Sequence, residues 1–179
     1  FYYPPVHFFT LWFSESMIYN LKDNGYQIIK ESSILDVGCG LGYHCQNMMK
    51  FGVKESMGVD ISNETIELLN SFKTKPVFRK LDICKDDISK YIEKFDIIFS
   101  SDVYEHVDDP DLMLQNLHKL LKKNVVISIT FPNWLHHGQN QFENVDSFKS
   151  KLLNAGFSNV NIKPIEDYGV LYKIFMKLY

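Results

Sequence analysis

Short apolar segments alternate with stretches of helical periodicity along most of this sequence, and that alternation restricts the fold more than any other feature. The apolar segments predict strands over 33–37, 56–60, 76–82, 95–101 and 124–131. The stretches between and after them predict helices over 41–51, 64–72, 111–121 and 145–157, with a short helix within 85–93. Strands and helices that alternate at this length form a mostly parallel sheet with helices on both faces. We therefore expect an α/β fold with a single doubly wound, Rossmann-like sheet.

The end of the chain breaks this alternation. Residues 159–165 and 170–178 both have strand character, and only the sequence EDYG separates them. A parallel connection needs a crossover of a dozen or more residues, so we expect the last strand to run antiparallel, in a hairpin. A chain of 179 residues without a repeat or a linker suits one domain. We place this domain at residues 31–179, after an N-terminal helical or lid segment at residues 1–30.

Three glycines, Gly38, Gly40 and Gly42, follow the first predicted strand. Ligands of a doubly wound sheet bind at the carboxyl ends of the strands where the strand order reverses, and this loop would lie at that point. Its spacing is GxGxG rather than the GxGxxG of dinucleotide-binding loops, and Asp36 precedes it. A carboxylate at that position would repel a pyrophosphate and attract a cation or an amino group. The loop therefore predicts a nucleoside ligand that lacks phosphates and carries a positive charge.

Acids also end the next two predicted strands, since Asp60 ends the second and Asp82 ends the third. Together with DVGCGLG at 36–42, this arrangement resembles the class I S-adenosylmethionine-dependent methyltransferases. The resemblance extends from about residue 33 to the C-terminal hairpin. It implies that the chain uses S-adenosylmethionine and leaves S-adenosylhomocysteine.

The resemblance also implies a role for each strand end. The glycines would lie against the methionyl part of the cofactor, and Asp60 would hold both ribose hydroxyls. Ile61 would pack on the adenine, and Asp82 would accept a hydrogen bond from its exocyclic amine. Residues after the fourth strand would contact cofactor and substrate. The implied cofactor-binding residues are Asp36, Gly38, Cys39, Gly40, Gly42, Asp60, Ile61, Asp82, Ile83, Ser100, Ser101 and Val103.

The segment SDVYEHVDDP at 101–110 follows the fourth predicted strand and supplies the catalytic candidates, His106 and Tyr104. Methyl transfer to a hydroxyl needs a base, whereas a neutral amine attacks unaided. Histidine suits proton transfer near neutral pH. The alternative is that His106 is structural, with its ring bonded to the backbone of the loop.

The same segment contains the spacing DxxEH, formed by Asp102, Glu105 and His106. It is similar to the ExxEH that holds a divalent cation in ubiquinone-biosynthesis O-methyltransferases and small-RNA 2′-O-methyltransferases. Those families take a further histidine from the segment after the fifth strand, and Asn140 falls at that position here. Asp102 is also one methylene shorter than glutamate. We therefore predict no metal, and keep a site formed by these three side chains as the alternative.

The aromatic N-terminus FYYPPVHFFTLWF predicts either a lid over the substrate or an amphipathic segment that covers an apolar edge of the sheet. A lid would exclude water and offer stacking faces. Two histidines after the fifth predicted strand are candidates for the same region. The substrate and lid candidates are Tyr2, Tyr3, His7, Phe8, Trp12, His136 and His137.

Composition limits the partners and the compartment. A formal net charge of -3 argues against a protein that mainly grips a phosphate backbone. Apolar runs such as 125–131 are far shorter than a membrane span, and the N-terminus lacks the basic region of a signal peptide. Three cysteines without CxxC spacing indicate reduced thiols. We expect a cytoplasmic protein with no membrane and no nucleic-acid partner.

The sequence therefore predicts a methyltransferase that acts on a small polar metabolite, with O-methylation favoured over N-methylation. One alternative is a non-catalytic subunit that binds the cofactor and serves a partner. Another is a metal-assisted O-methyltransferase of the RNA or catechol type. An NAD-dependent oxidoreductase is disfavoured by the GxGxG spacing and by Asp36.

Overall fold

The structure, a computed structural model, describes Ser14, residues 31–129, residues 144–160 and Ile162. Its five strands form one sheet in the order β3-β2-β1-β4-β5. Every strand pairing within the described ranges is parallel. The strands are β1 (Ser33–Val37), β2 (Glu55–Asp60), β3 (Val77–Lys80), β4 (Phe95–Ser100) and β5 (Leu121–Ile129). The helices are α1 (Tyr43–Lys50), α2 (Asn63–Ser71), α3 (Pro110–Leu120) and α4 (Val145–Asn154), and short 3-10 turns cover Ser89–Tyr91 and Tyr104–His106.

Side-chain caps fix the beginnings of three of these helices. The Ser62 hydroxyl accepts from the backbone N–H of Thr65 at the start of α2. Asp109 caps α3 through the backbone N–H of Leu112, with Pro110 at the first helical position, and Asn144 caps α4. Such caps satisfy backbone donors that have no partner within the helix. Helix α1 differs, because its cap position is Gly42, which has no side chain.

The central strand β1 pairs with β2 on one side and with β4 on the other, so the strand order reverses between β1 and β4. Val37 lies beside Val59 in one ladder and beside Ser100 in the other. The carboxyl ends of β1, β2 and β4 therefore meet at one edge of the sheet, where doubly wound folds bind ligands.

The sheet is buried on both faces. One face packs with α3 and α4 through a core that includes Leu35, Ile98, Leu114 and Phe148. The other face, under α1 and α2, contains a smaller cluster: Cys39, Cys45, Ile66, Leu69 and Phe78. The glycine loop after β1 lies between these two layers. The predicted doubly wound, parallel sheet is confirmed.

Several predicted boundaries are wrong, since β3 ends at Lys80 rather than at Asp82 and α4 ends at Asn154 rather than at residue 157. Strand β5 begins at Leu121 rather than at residue 124, directly after α3 and without a turn residue between them. The first strand of the predicted hairpin was placed at 159–165, but Asn159, Val160 and Ile162 lie outside any strand. The remainder of that hairpin, with its antiparallel strand at 170–178, lies outside the described residues and stays a prediction.

No helix within the described part of the chain is long and apolar enough to cross a membrane.

Candidate functional site

The loop between β1 and α1 is fixed to the end of β2 by backbone hydrogen bonds. The N–H groups of Gly38 and Cys39 both donate to the carbonyl of Val59, at 2.9 and 3.0 Å. Gly42 N–H donates to the carbonyl of Cys39 at 2.8 Å, which closes the loop before α1 begins. The loop is therefore an ordered part of the sheet edge.

The three glycines of this loop all have positive φ, but they differ in the space available for a side chain. A Cβ at Gly38 would overlap the Val103 side chain, and one at Gly42 would lie 2.6 Å from the ring of Phe78. A Cβ at Gly40, where φ is 47°, would meet no atom within 4 Å. Packing thus explains two of the glycines, whereas Gly40 borders open space. Backbone without a side chain beside open space suits close approach by a ligand.

Asp60 ends β2 next to this open space. One carboxylate oxygen accepts from the backbone N–H of Gly40 at 3.0 Å, and the other accepts from the N–H of Ser62 at 2.9 Å. A carboxylate has about four acceptor positions, so two remain for a ligand. Beside it, Ile61 is 68% exposed, which makes it a large apolar side chain at the mouth of the site. The loop and this acid therefore form one rigid unit.

Asp36 has a different environment, because only 2% of it is exposed. Its carboxylate lies beneath α1, where the thiol of Cys45 contacts it at 3.7 Å. Burial, with a contribution from the charge of Asp60, raises the pKa of Asp36 to about 7. The structure places Asp36 at the base of the predicted site as a buried acid that is costly to ionise.

The residues after β3 have backbone roles of their own. Asp82 accepts from the N–H of Cys84 at 2.9 Å, and its side chain keeps some exposure. The side chain of Ile83 is buried in the main core, and its carbonyl accepts from the amide of Asn116 at 2.8 Å. Because the Ile83 side chain lies in this core, the structure gives no support to a contact between that side chain and a cofactor.

Two serines end β4 at the point where the strand order reverses. Ser100 is fully buried, and Ser101 follows it in the loop. Within the described ranges, neither hydroxyl oxygen has a hydrogen-bond partner, although both oxygens are buried. Buried polar groups are normally hydrogen-bonded, and an exception calls for an explanation such as a ligand or water. These hydroxyls suit a ligand that supplies the missing partner.

The predicted catalytic segment divides into buried and exposed side chains. Tyr104 is fully buried and packs edge-on against Phe148, with ring centroids 4.9 Å apart. That is the environment of a core residue, so the structure argues against the catalytic role predicted for Tyr104. Glu105 is 3% exposed, and burial raises its pKa. His106 is exposed, and its backbone N–H donates to Val103 at 2.9 Å.

In the part of the chain that the structure describes, no three His, Cys, Asp or Glu side chains are arranged to hold a metal ion, and this includes Asp102, Glu105 and His106. The predicted substrate and lid residues lie outside the described residues: Tyr2, Tyr3, His7, Phe8, Trp12, His136 and His137. Their roles stay predictions.

Two sets of contacts around the site were not predicted. Lys85 bridges Asp82 and Asp108, at 3.7 and 2.9 Å, and so connects the loop after β3 with the loop after β4. Ser14 and His44 form a hydrogen bond of 2.7 Å across 30 residues of sequence. The Lys85–Asp108 and Ser14–His44 contacts join residues far apart in the sequence, so no local pattern could have indicated them.

A family profile described as "Methyltransferase domain" matches residues 28–169, which include every described element of the site. This chain belongs to the class I S-adenosylmethionine-dependent methyltransferases. The predicted family is thereby confirmed.

Among similar methyltransferases, the ubiquinone biosynthesis O-methyltransferase of Pelagibacter ubique is 34% identical over 107 residues, which cover 59% of this chain and 44% of that protein. The protein of the same name from Brucella ovis is 26% identical over 177 residues, covering 86% and 69%. The tRNA U34 carboxymethyltransferase of Campylobacter jejuni is 33% identical over 102 residues, covering 55% and 35%. This methyltransferase chain thus spans less than half of the Pelagibacter ubique protein.

A solved methyltransferase structure shows the same fold. Phosphoethanolamine N-methyltransferase 2 of Haemonchus contortus, in complex with S-adenosyl-L-methionine, is similar with a TM-score of 0.72 and 18% identity. The match covers 90% of this chain and 41% of that chain. At this identity the likeness establishes the fold of the methyltransferase.

The residues of this methyltransferase fit the cofactor of the family. Gly40 leaves space for a group that approaches the backbone, and the Asp60 carboxylate retains acceptor capacity for hydroxyl donors. Ile61 offers an exposed apolar surface next to that carboxylate. A nucleoside with a ribose and an adenine has these complementary groups.

Proposed function

We propose that this chain catalyses transfer of the methyl group of S-adenosylmethionine to a hydroxyl oxygen of a small polar metabolite. The observation that carries the proposal is the Asp60 carboxylate, which two backbone N–H groups hold beside the open space at Gly40. A carboxylate fixed in this way is prepared to accept hydroxyl donors without reorganisation, and such charge-assisted bonds are the stronger ones.

In this proposal the ends of β1, β2 and β3 hold the cofactor. The loop Gly38–Cys39–Gly40 lies against the methionyl part, with Asp36 beneath it. Asp60 accepts both ribose hydroxyls, and Ile61 packs on the adenine. Asp82 and the backbone of Ile83 meet the edge of the adenine ring. When bound, the sulfonium cofactor supplies an activated methyl group and its own leaving group.

The end of β4 serves the acceptor. Ser100, Ser101 and Val103 border the cofactor and the acceptor at the point of strand reversal. The exposed ring of His106 would take the proton of the acceptor hydroxyl, and the cofactor, when bound, would supply the methyl group that the hydroxyl oxygen receives. The names of the Pelagibacter ubique and Brucella ovis relatives support oxygen as the acceptor atom.

The wider predictions belong to the same proposal. Residues 1–30 form a lid that contributes Tyr2, Tyr3, His7 and Trp12 to the acceptor pocket, and His136 and His137 approach it from the segment after β5. Residues 31–179 form the catalytic domain, which ends in an antiparallel strand and functions in the cytoplasm without a metal.

RNA is a second candidate acceptor. The name of the Campylobacter jejuni relative specifies a tRNA, so the net charge of -3 does not by itself exclude a nucleic-acid substrate. We favour the small metabolite because the relative that aligns over 86% of the chain is named for ubiquinone biosynthesis.

The test is transfer of a deuterated methyl group from labelled S-adenosylmethionine to three acceptor panels: catechols and other phenols, primary and secondary amines, and total tRNA. We expect mass spectrometry to find the label on a phenolic oxygen, and the variant Asp60→Ala to abolish transfer. Label only on amines or on tRNA would contradict the O-methylation of a metabolite. Cofactor binding without transfer to any panel would favour the non-catalytic subunit.

A further inference from the structure

The beginning of α1 is the one helix start in the described ranges that no side chain caps. Its cap position, Gly42, has a left-handed backbone with φ 69°, and it has no side chain that could bond the first turn. On the side of the sheet, the glycine loop is fixed by Val59 and Asp60. On the side of α1, the first helical turn is held by the buried Cys45 and by side-chain contacts from a distant part of the chain.

Ser14 provides such a contact. Its side chain is fully buried, and its hydroxyl lies 2.7 Å from Nδ1 of His44, in the first turn of α1. The amide of Asn47, which is 1% exposed, donates to the same hydroxyl at 3.3 Å. One serine, far away in the sequence, therefore bonds two side chains that are three positions apart on α1.

The direction of these bonds follows from their chemistry. The Asn47 amide nitrogen is a donor only, so it occupies a lone pair of the Ser14 oxygen. Burial lowers the pKa of His44, which favours a neutral ring in which one nitrogen is an acceptor. The arrangement suits donation from Asn47 to Ser14 and from Ser14 to His44.

Ser14 bonds α1 at positions next to its core residues. Cys45 and Met48 are fully buried, and Cys45 belongs to the cluster between α1 and the sheet. His44 and Asn47 are three positions apart and so are neighbours on the helix surface. Helix α1 is therefore held both by its core residues and by Ser14.

We propose that Ser14, His44 and Asn47 are positioning residues for the cofactor, which fix the first turn of α1 and with it the glycine loop. The inference rests on the proposed function, because it assumes that this loop receives S-adenosylmethionine. It predicts that Ser14, through its bonds to α1, controls cofactor affinity, because a misplaced first turn shifts the backbone from Gly40 to Gly42.

The test is calorimetric titration of S-adenosylhomocysteine into the full chain and its variants, well below the melting temperature of each. We expect Ser14→Ala and His44→Ala each to raise the dissociation constant about 5- to 20-fold, in line with the loss of a buried hydrogen bond and of coupling between sites. In the double variant the effects should not multiply, since both changes remove the same bond. Gln46→Ala, on the same helix, is the matched control and should bind like the wild type.

A second pair of variants separates positioning from general stability. His44→Asn places an amide oxygen near the position of Nδ1 and should restore most of the affinity, whereas His44→Gln moves the polar group outward and should not. Wild-type affinity in Ser14→Ala and His44→Ala, despite lower melting temperatures, would overturn the inference and leave the proposed function intact. Failure of the wild type to bind S-adenosylhomocysteine would overturn both.

Discussion

The two halves of the proposed site differ in how far the protein has organised them. In the proposed cofactor half, at the ends of β1 and β2, backbone N–H groups donate to the carbonyl of Val59 and to the carboxylate of Asp60 at 2.9 to 3.0 Å. In the proposed acceptor half, after β4, the hydroxyls of Ser100 and Ser101 have no partner within the described ranges. His106 is exposed there. The first half is thus preorganised, whereas the second has polar groups that suit a ligand as partner.

This difference has a physical reason. A fixed site favours the binding of a cofactor that is the same in every turnover, because little free energy is then lost to reorganisation of the protein. An acceptor pocket built from loops varies freely on one scaffold. The loop after β4 also has Asp102 at φ 55°, an uncommon conformation for a residue with a side chain. Each of the following changes separates the two halves experimentally.

The largest effect is expected in the acceptor half, at His106. If its ring takes the acceptor proton, His106→Ala should lower kcat by about 10²–10⁴-fold and leave the affinity for S-adenosylhomocysteine nearly unchanged. EDTA should have no effect on the wild type, because no cation takes part. Steady-state kinetics together with calorimetry checks both statements. Inhibition by EDTA that magnesium reverses would contradict the metal-free mechanism.

Asp60 should give the largest effect in the cofactor half. Asp60→Ala removes the acceptor of the ribose hydroxyls and leaves the N–H groups of Gly40 and Ser62 without their partner. We expect a loss of roughly 2–4 kcal/mol in cofactor affinity by calorimetry. Asp96→Asn is the control, since Asp96 accepts from Ser33 at 2.8 Å at the opposite end of the sheet. Asp96→Asn should lower the stability without changing the affinity for the cofactor. Weaker cofactor binding by Asp96→Asn, together with unchanged binding by Asp60→Ala, would place the cofactor elsewhere.

A third test uses the pH dependence of the stability, to which Asp36 should contribute. Its pKa of about 7 in the folded state lies above its value in the unfolded chain, so the folded state binds the proton more tightly. The stability of the wild type should therefore fall as pH rises from about 4 to about 7 through this group, and change no further above that. Asp36→Asn removes this dependence.

The measurement is the free energy of unfolding of the wild type and of Asp36→Asn at pH 5 and pH 8. From pH 5 to pH 8, the free energy of unfolding of Asp36→Asn relative to that of the wild type should increase by about 3 kcal/mol. A difference that stays constant would show that Asp36 ionises without cost, and so would contradict its description as a buried acid that is costly to ionise.

The smallest effect distinguishes two glycines. Gly40 and Gly52 both have positive φ, and a Cβ at either would meet no atom within 4 Å. Alanine at either position should cost roughly 1–2 kcal/mol of stability through backbone strain. Only Gly40→Ala should also weaken binding of S-adenosylhomocysteine, by about tenfold or more, because its methyl group would occupy the ligand space. Equal affinities of the two variants would show that the open space beside Gly40 is not the cofactor site.

The sequence indicated the local geometry around the glycine loop more completely than that of the segment after β4. Glycines with positive φ and acids at strand ends are local features, and local features are visible in a sequence. The predicted sheet is confirmed for the same reason, since the period of apolar residues reports the burial of each strand. The change from α3 to β5 at Leu121 was missed because no glycine or proline marks it.

The acceptor half depends on tertiary packing, which the sequence does not display. Tyr104 stands in the polar segment SDVYEHVDDP, and its burial follows from Phe148, which lies 44 residues later in the sequence. The contact between Ser14 and His44 is also non-local. The fold brings such residues together whatever their spacing in the sequence, so a sequence motif does not predict their burial or their contacts.

The most direct test of the central claim, that the glycine loop and Asp60 form an S-adenosylmethionine site, is a thermal melt of the wild type with S-adenosylhomocysteine and, separately, with NAD. At a hundredfold excess over its dissociation constant, a ligand adds ~2.7 kcal/mol to the stability of the folded state. For a chain of this size, that amounts to an increase in the melting temperature of roughly 5–10 °C. We predict this increase with S-adenosylhomocysteine and none with NAD. An increase with NAD alone would contradict the account.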